Sequence, residues 1–339
     1  MTRARLAGLL LAAAVVLSPL RVGAEAQAPS QAPVGVDVAG APFSYFEPRD
    51  KDRRQFGPLL FRGAVTLTSP FKNFGGISSI RVQEGGERFL AVTDKGWWVR
   101  GKIRYSGKAP AGLSDVEMAP MLGVDGRPLA RRGWYDSESL TLDGSTAYVG
   151  FERVHQIVRF DVGREGLVAG GRAINVPAEL KSLPPNRGLE AIAFVPKGLP
   201  LAGTIIAISE EALDTGGNIR AFLIGGATPG EFSIKRTNDF AITDAAITPS
   251  GDLLILERKF SLLSGPGMRI RRLSLEKIAP GALVEGPALI TADAGFEIDN
   301  MEGLSVHTDT DGSIVLTLVS DDNFSSLQRT LLLQFTLTE

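Results

Sequence analysis

The chain has 339 residues, of which 44% are hydrophobic and 22% are charged, and its formal net charge is -2. This length is enough for one large all-β domain or two smaller domains with a sizeable buried core. The nearly balanced charge and the lack of a long basic block argue against a protein that grips nucleic acid, so we expect no nucleic-acid partner.

The N-terminus has the pattern of a Sec-type signal peptide. Arg3 and Arg5 precede an apolar run from Leu6 to Leu17, and small residues follow up to possible cleavage sites after Ala24 and Ala26. The apolar run is shorter than the roughly 20 residues that cross a bilayer, so no membrane span is predicted. We therefore predict a periplasmic or secreted protein.

Three segments are predicted: a signal peptide at residues 1–24, a flexible lead-in at residues 25–40, and a single domain at residues 41–339. The chain has no cysteine, so this exported domain is expected to be held by its core and by bound ions rather than by disulfides. We expect a monomer.

Strand-like runs occur as five pairs, each consisting of a short strand, a turn and a buried strand that ends in an acid. The pairs are FGGISSIRV with FLAVTDKG, DSESLTLDG with AYVGFERV, RGLEAIAFVP with IIAISEEA, TDAAITPSG with LLILERKF, and DNMEGLSVH with VLTLVSDDN. Two further strand-like runs follow most pairs. Four strands per unit is the number in a propeller blade, so the sequence predicts an all-β fold, a β-propeller with five four-stranded blades.

Equivalent positions in successive repeat units are separated by about the number of residues in one blade. Aligning Ser78, Glu138, Glu190, Ala245 and Glu302 gives spacings of 60, 52, 55 and 57 residues. A sixth blade remains the alternative, because residues 41–60 could hold additional strands.

The fifth unit ends before its outer strand. The run FRGAVTLTS, Phe61 to Ser69, could supply that strand from the opposite end of the chain. Such pairing would close the ring and cover two exposed strand edges.

Repeated acids are expected to meet at the central channel, because the inner strands of a propeller line it. Glu138, Glu190 and Glu302 occupy one repeat position and are predicted to form a ring that carries the catalytic chemistry. Carboxylates this close repel one another unless a cation or an arginine compensates them.

The donor inventory favours a hard cation. Carboxylate and amide oxygens without cysteine suit calcium, and the two histidines, His155 and His307, have no zinc-site spacing. The predicted metal ligands are Asp94, Glu138, Glu190, Glu302 and Asp321.

A structural role is the alternative for the acids at strand ends. Asp94, Glu152, Glu210 and Glu257 could instead brace turns or pair with neighbours such as Arg153 and Arg258. Ala245 stands where three other units have Glu, which favours a site with blade-specific roles over a simple turn brace.

Three residues are candidates for substrate binding. Lys95 and Arg187 could hold an anionic group, with surface solvation equally compatible, and Trp97 could stack at a channel mouth. At least one residue of the pair Trp97 and Trp98 is expected to pack inside a blade.

The motifs GGISSI…AVTDKG, DSESLTL…YVGFER, NRGLEAIAF…IAISEE and DNMEGLSVH…LVSDDNF resemble the esterase-like phytase family of bacterial β-propellers. The resemblance covers nearly all of the predicted mature chain. It implies an exported, metal-binding propeller that acts on phosphate or carboxylic esters.

We therefore expect a metal-dependent hydrolase with a small-molecule ester or phosphoester substrate. The alternatives are a non-catalytic calcium-stabilised binding propeller and a glycoside-acting propeller, in which two carboxylates would serve as acid and base.

Overall fold

The computed structural model describes residues 31–261 and 265–338, and the predicted signal peptide lies outside this part of the chain. Five mainly antiparallel sheets form a five-bladed β-propeller. This confirms the predicted all-β fold and the blade count of five. In the described ranges, no helix has both the length and the apolar character needed to cross a membrane.

Four strands precede the first blade. They are β1 (Val34–Gly35), β2 (Ala39–Phe43), β3 (Gln55–Phe56) and β4 (Leu59–Thr68). Blade 1 runs from the axis outward through β5 (Ile77–Val82), β6 (Arg88–Thr93), β7 (Trp97–Ser106) and β8 (Ala109–Pro120). The strand β1 pairs with the outer edge of β8.

Blades 2 and 3 follow the same order from the axis outward, and each gains one short parallel strand at its outer edge. Blade 2 contains β9 (Leu122–Gly123) at that edge and β10 (Ser137–Asp143), β11 (Thr146–Phe151), β12 (Gln156–Asp161) and β13 (Gly170–Ala173). Blade 3 contains β14 (Leu189–Phe194), β15 (Thr204–Leu213), β16 (Ile219–Gly225) and β17 (Gly230–Ile234).

Blade 4 contains β18 (Ala241–Ile247), β19 (Asp252–Ser261), β20 (Gly265–Ser274) and β22 (Ala288–Ala292). The intervening strand β21 (Leu283–Val284) pairs with the outer edge of blade 3. Blade 5 contains β23 (Met301–Thr308), β24 (Ile314–Ser320) and β25 (Thr330–Leu337), followed by β4 and β2. The short helices are α1 (Val162–Glu165) and α2 (Ala178–Lys181), with 3₁₀ turns at Leu129–Arg132, Glu152–Val154, Gly166–Val168 and Leu275–Lys277.

The ring closes as predicted, with a strand from the N-terminal side. The strand β4 pairs antiparallel with β25 along its whole length, from Leu67 opposite Thr330 to Leu59 opposite Leu337. It covers the edge that β25 would otherwise expose. The segment predicted to be a flexible lead-in is partly paired: Val34–Gly35 joins blade 1, and β2 joins β4.

All five inner strands carry a β-bulge at the same place. One residue is skipped in the pairing of each inner strand with its neighbour. A bulge re-aims the side chain of the extra residue and increases the local twist, which is why bulges are common beside functional sites. The skipped residues are Ser78, Glu138, Glu190, Thr243 and Glu302.

A buried ion pair crosses the central channel. Nη1 and Nη2 of Arg81, on β5, each donate to a carboxylate oxygen of Asp244, on β18, at 2.9 Å. Nη1 also donates to the carbonyl of Leu304 on β23 at 2.8 Å, and Asp244 has no exposed surface. The pair therefore links three blades at the axis.

The two ends of the channel differ on either side of this pair. A cavity of about 580 Å³ at one end is lined by the C-terminal ends of the five inner strands and by Arg81. The bulged residues lie at the other end, where the inner strands begin. We call that end the acid mouth.

Candidate functional site

The bulges place three glutamates at equivalent positions around the acid mouth. Glu138 is half-buried, and Glu190 and Glu302 are each only 6% exposed. Blade 1 has Ser78 and blade 4 has Thr243 at this position. The predicted equivalence of Ala245 is wrong, because Ala245 lies two residues beyond the bulge and pairs with Ile255.

A second set of acids occupies equivalent positions in blades 1, 2, 3 and 5. Three of them directly follow the second strand of the blade, and Glu210 lies within β15. The backbone N–H groups of Asp94, Glu152, Glu210 and Asp321 each donate to a carbonyl just before the inner strand, at 2.8 to 2.9 Å. The shared hydrogen bond shows that the four residues are equivalent. All four carboxyl groups are partly or largely buried.

Blade 4 departs from this pattern and has an arginine. Glu257 pairs with Ile242 inside the sheet, so the equivalent position in blade 4 is Arg258. Glu257 is fully buried between Arg269 and Arg271, with N···O distances of 2.5 and 2.6 Å. The structural alternative is therefore correct for Glu257, although with other arginine partners than expected.

Both sets of acids face the same mouth. Burial raises the pKa of Glu138 well above its usual range, and the charges of Glu302, Asp136 and Asp94 raise it further. Burial, followed by the charges of Glu138 and Glu210, also raises the pKa of Glu190 well above its usual range. Groups from four blades thus affect one another's ionisation.

The tightest carboxylate group lies on the side of blades 2 and 3. One oxygen from each of Glu152, Glu190 and Glu210 lies within 4.8 Å of the other two, a spacing compatible with a shared metal ion. Of these three, only Glu190 belongs to the metal set predicted from the sequence. Glu152 also accepts a hydrogen bond from the N–H of Gly188 at 2.8 Å, which braces the junction between blades 2 and 3.

Asp94 and Asp321 occupy the side of blades 1 and 5. Burial, followed by the charge of Asp321, raises the pKa of Asp94 to about 7. Burial also raises the pKa of Asp321 to about 6. Oδ1 of Asp94 is buried and has no hydrogen-bond partner. An unpartnered buried carboxylate oxygen is costly, and it is a donor atom that a cation could use.

Arg258 partly neutralises this mouth. Its guanidinium donates to Oδ1 of Asn300 at 2.8 Å and to Oε1 of Glu210 at 3.1 Å, and it lies 3.7 Å from Oε1 of Glu302. Burial opposes its charge, but the carboxylates of Glu302 and Glu190 raise its pKa above the usual arginine range. Sequence reasoning considered Arg258 only as a partner for neighbouring acids.

The raised carboxyl pKa values predict an alkaline loss of stability when no cation is present. Burial raises the pKa of Glu152 to about 7 and that of Glu302 to about 8, whereas both groups titrate near 4.3 in an unfolded chain. The folded state therefore favours the protonated form, so stability is fully present below about pH 4 and is lost as the pH rises through 7 to 8. In chelator, we expect the melting temperature to fall by roughly 5 °C or more between pH 5 and pH 9. Differential scanning fluorimetry would measure it, and a melting temperature that rises over this interval would contradict the expectation.

The predicted substrate-binding residues lie around the rim. The ammonium of Lys95 lies over the ring of Phe324 and lowers the pKa values of Asp94 and Asp321 against the larger effect of burial. Arg187 is exposed, 3.9 Å from a carboxylate oxygen of Glu211. Their roles in substrate binding remain predictions.

Trp97 and Trp98 have different environments, as expected. Trp98 is fully buried and packs edge-to-face on Phe160 at 5.0 Å, inside the core between blades 1 and 2. Trp97 is half-buried, with its ring 5.9 Å from that of Phe71. Whether Trp97 contacts substrate also remains a prediction.

The model of one protein family, described as phytase-like with esterase-like activity of phytase, matches residues 72–324 of the sequence. This range includes every strand from β5 to β24 and both sets of mouth residues. The chain belongs to the phytase-like family. No curated protein matches it.

Solved structures similar to this phytase-like protein are distant. Glutaminyl cyclase of Myxococcus xanthus has 9% identity and a TM-score of 0.41, covering 78% of this chain and 92% of its own. A Thermus thermophilus protein described as a putative oxidoreductase (glucose dehydrogenase) has 14% identity and a TM-score of 0.32, covering 88% of this chain and 100% of its own. Neither likeness informs the chemistry of the mouth.

Proposed function

We propose that this phytase-like propeller is a metal-dependent hydrolase of phosphate or carboxylic esters, and that the acid mouth is its active site. The observation that carries the proposal is the bulge repeated in every blade. The bulge directs Glu138, Glu190 and Glu302 to one mouth. There the guanidinium of Arg258 supplies a positive charge 3.7 Å from Oε1 of Glu302. A small-molecule ester is the corresponding substrate.

The donor set fits a hard cation such as calcium. The mouth offers carboxylate oxygens and the amide of Asn300, and calcium takes six to eight oxygen ligands in flexible geometry. Glu152, Glu190 and Glu210 supply one close group of oxygens, and Oδ1 of Asp94 supplies an unpartnered oxygen on the other side. In addition to burial, the charges of Glu138 and Glu302 raise the pKa of Glu190, and the charge of Asp321 raises the pKa of Asp94, so the predicted ligands and this cluster are compatible parts of one site.

The residues of the mouth have distinct chemical capacities. A bound cation would supply Lewis-acid polarisation of the ester and a more acidic water. Oε1 of Glu302 accepts a hydrogen bond from Asn300 at 2.7 Å, which leaves Oε2 to hold or accept a proton. Burial raises the pKa of Glu302 to about 8 in the cation-free protein. A bound cation would lower this pKa, so the carboxylate would serve as a proton acceptor near neutral pH. Arg258 can orient anionic oxygens of the substrate, because its planar guanidinium matches carboxylate and phosphate groups.

Removing the metal is expected to abolish turnover. The purified mature protein should contain stoichiometric calcium by mass spectrometry, and it should hydrolyse p-nitrophenyl phosphate or p-nitrophenyl acetate. Treatment with a chelator should reduce the rate by at least about 100-fold, because metal activation and proton transfer are lost together. Calcium, but not sodium at equal ionic strength, should restore it. Metal-free protein with undiminished turnover would refute the metal dependence.

A non-catalytic calcium-stabilised binding propeller is the second candidate, and one observation favours it. Acids brace blade junctions: Glu152 accepts from the backbone of blade 3, and Asp322 accepts from the N–H of Gly76 in blade 1 at 2.9 Å. Under this alternative, chelation would lower the melting temperature, and neither ester would be turned over. The glycoside-acting alternative stays an untested prediction, as do export and the monomeric state.

A further inference from the structure

The hairpin formed by β19 and β20 divides the rim of the acid mouth. Three consecutive residues, Arg258, Lys259 and Phe260, follow the buried part of β19. Two grooves, of about 590 and 510 Å³, lie beside this hairpin, and all three residues line both of them. Volumes of this size are typical of sites for small organic ligands.

The two grooves have different charges. The 510 Å³ groove also contains Glu210, Glu211 and Asp239, so it repels anions. The 590 Å³ groove has one carboxylate, Asp299, whose oxygens accept hydrogen bonds from the backbone of Asn300 and Arg329. An anion is therefore favoured only in the larger groove.

The larger groove is flanked by exposed apolar side chains. Phe260, on the hairpin, is 71% exposed, and Leu327, in the loop after β24, is 92% exposed. Pro266 adds further apolar surface. Large apolar groups left in water beside a polar cleft are typical of a ligand-binding surface.

Arg258 connects this groove to the acid mouth. Its guanidinium contacts Glu210 and Asn300 at the mouth, and the same residue lines the groove. The Arg258 side chain is 32% exposed, so part of it is accessible to an anionic oxygen of a ligand in the groove.

We propose that the larger groove, which we call the apolar subsite, binds the aryl or alkyl group of a phosphate monoester, which remains an anion after esterification. The anionic oxygens of that substrate lie at Arg258 and its ester bond lies over the acid mouth. This inference rests on the proposed function and narrows its substrate class.

The test uses pairs of non-hydrolysable ligands that differ only in an apolar group. Phenylphosphonate and methylphosphonate represent the phosphate monoester, and phenylacetate and acetate carry a carboxylate in place of the phosphonate. Isothermal titration calorimetry on the mature protein in saturating calcium should show about tenfold tighter binding of the phenyl compound in the phosphonate pair, as expected for burying part of a ring. A preference confined to the carboxylate pair would contradict the phosphate monoester.

Two single-residue variants test which side chains produce the preference for the phenyl compound. Phe260→Ala and Leu327→Ala should each reduce it to about threefold or less, because each removes one wall of the groove. Both side chains are exposed, so the fold should be unaffected. Leu283→Ala, which removes a 56% exposed leucine on the distant edge strand β21, is the matched control and should keep the full preference.

The outcomes separate this inference from the proposed function. Equal binding of phenylphosphonate and methylphosphonate, no binding of either, or a preference unchanged in Phe260→Ala would overturn the apolar subsite. Absent turnover with a retained phenyl preference would refute the hydrolase, and metal-independent turnover would refute its metal dependence; both results would leave the subsite in place.

Discussion

Replacing Asp244 with Ala should lower the free energy of unfolding by about 3–5 kcal/mol, because it leaves the guanidinium of Arg81 buried without its counter-ion. Asp244 is fully buried, and Arg81 is 8% exposed, so water cannot compensate the lost charge. The carboxylate also accepts from the backbone N–H of Leu304 and from the hydroxyl of Ser79, so hydrogen bonds to blades 1 and 5 are lost as well. Urea denaturation followed by circular dichroism would measure the change.

Two further variants make this expectation specific. Arg81→Met combined with Asp244→Ala should be less destabilising than Asp244→Ala alone, because no unpaired charge remains in the channel. Glu117→Ala breaks the exposed pair with Arg100, so it should cost less than about 1 kcal/mol. A cost for Asp244→Ala as small as that of Glu117→Ala would show that the channel pair does not hold the blades together.

Changing Glu138, Glu190 and Glu302 together to Gln should abolish calcium binding. The change keeps the shape of each side chain but removes the charge that a cation requires. Calcium content should fall to background, the melting temperature should no longer respond to calcium or chelator, and ester turnover should fall at least about 100-fold. The fold should persist, because burial, which raises the pKa of each of these groups, opposes their charged form when no cation is bound.

A matched triple variant controls for the loss of net charge. Glu87, Glu179 and Glu276 are exposed glutamates far from one another in sequence, and changing all three to Gln removes the same number of charges. This variant should keep its calcium and its activity. Unchanged metal content in the channel triple variant would refute the metal site.

The repeat was visible in the sequence because blade-length periodicity and strand alternation are local patterns. The strand Phe61 to Ser69 could also be placed, because an incomplete fifth blade and an unassigned strand at the other end imply one another. These inferences needed no distances, and the pairing of β4 with β25 confirmed them.

The register of blade 4 could not be read in the same way. Shifting a strand by two residues leaves every side chain on the same face, so the alternation of AITDAAI fits Thr243 and Ala245 equally well at the ring position. Only the bulge distinguishes them, and a bulge has no reliable signature in a single sequence.

The position of Arg258 at the acid mouth could not be predicted for a related reason. The acid of the LLILERKF run, Glu257, lies one residue before the position that holds the acid in the other blades, and only the pairing of Glu257 with Ile242 shows this offset. The pair of Arg81 and Asp244 was equally inaccessible, because its members are separated by 163 residues and only the assembled ring brings them together.

Ring closure by β4 and β25 has a consequence for how the molecule folds. The amide of Gln55 donates to the hydroxyl of Thr338 across a sequence separation of 283 residues, so the closing contacts are among the most non-local in the chain. Such contacts form slowly, because the entropy of a very long loop must be lost before they contribute stability. During synthesis, the sheet of blade 5 cannot assemble until β25 has emerged. Four blades can therefore collapse early, while an open-edged intermediate persists until the last strand docks.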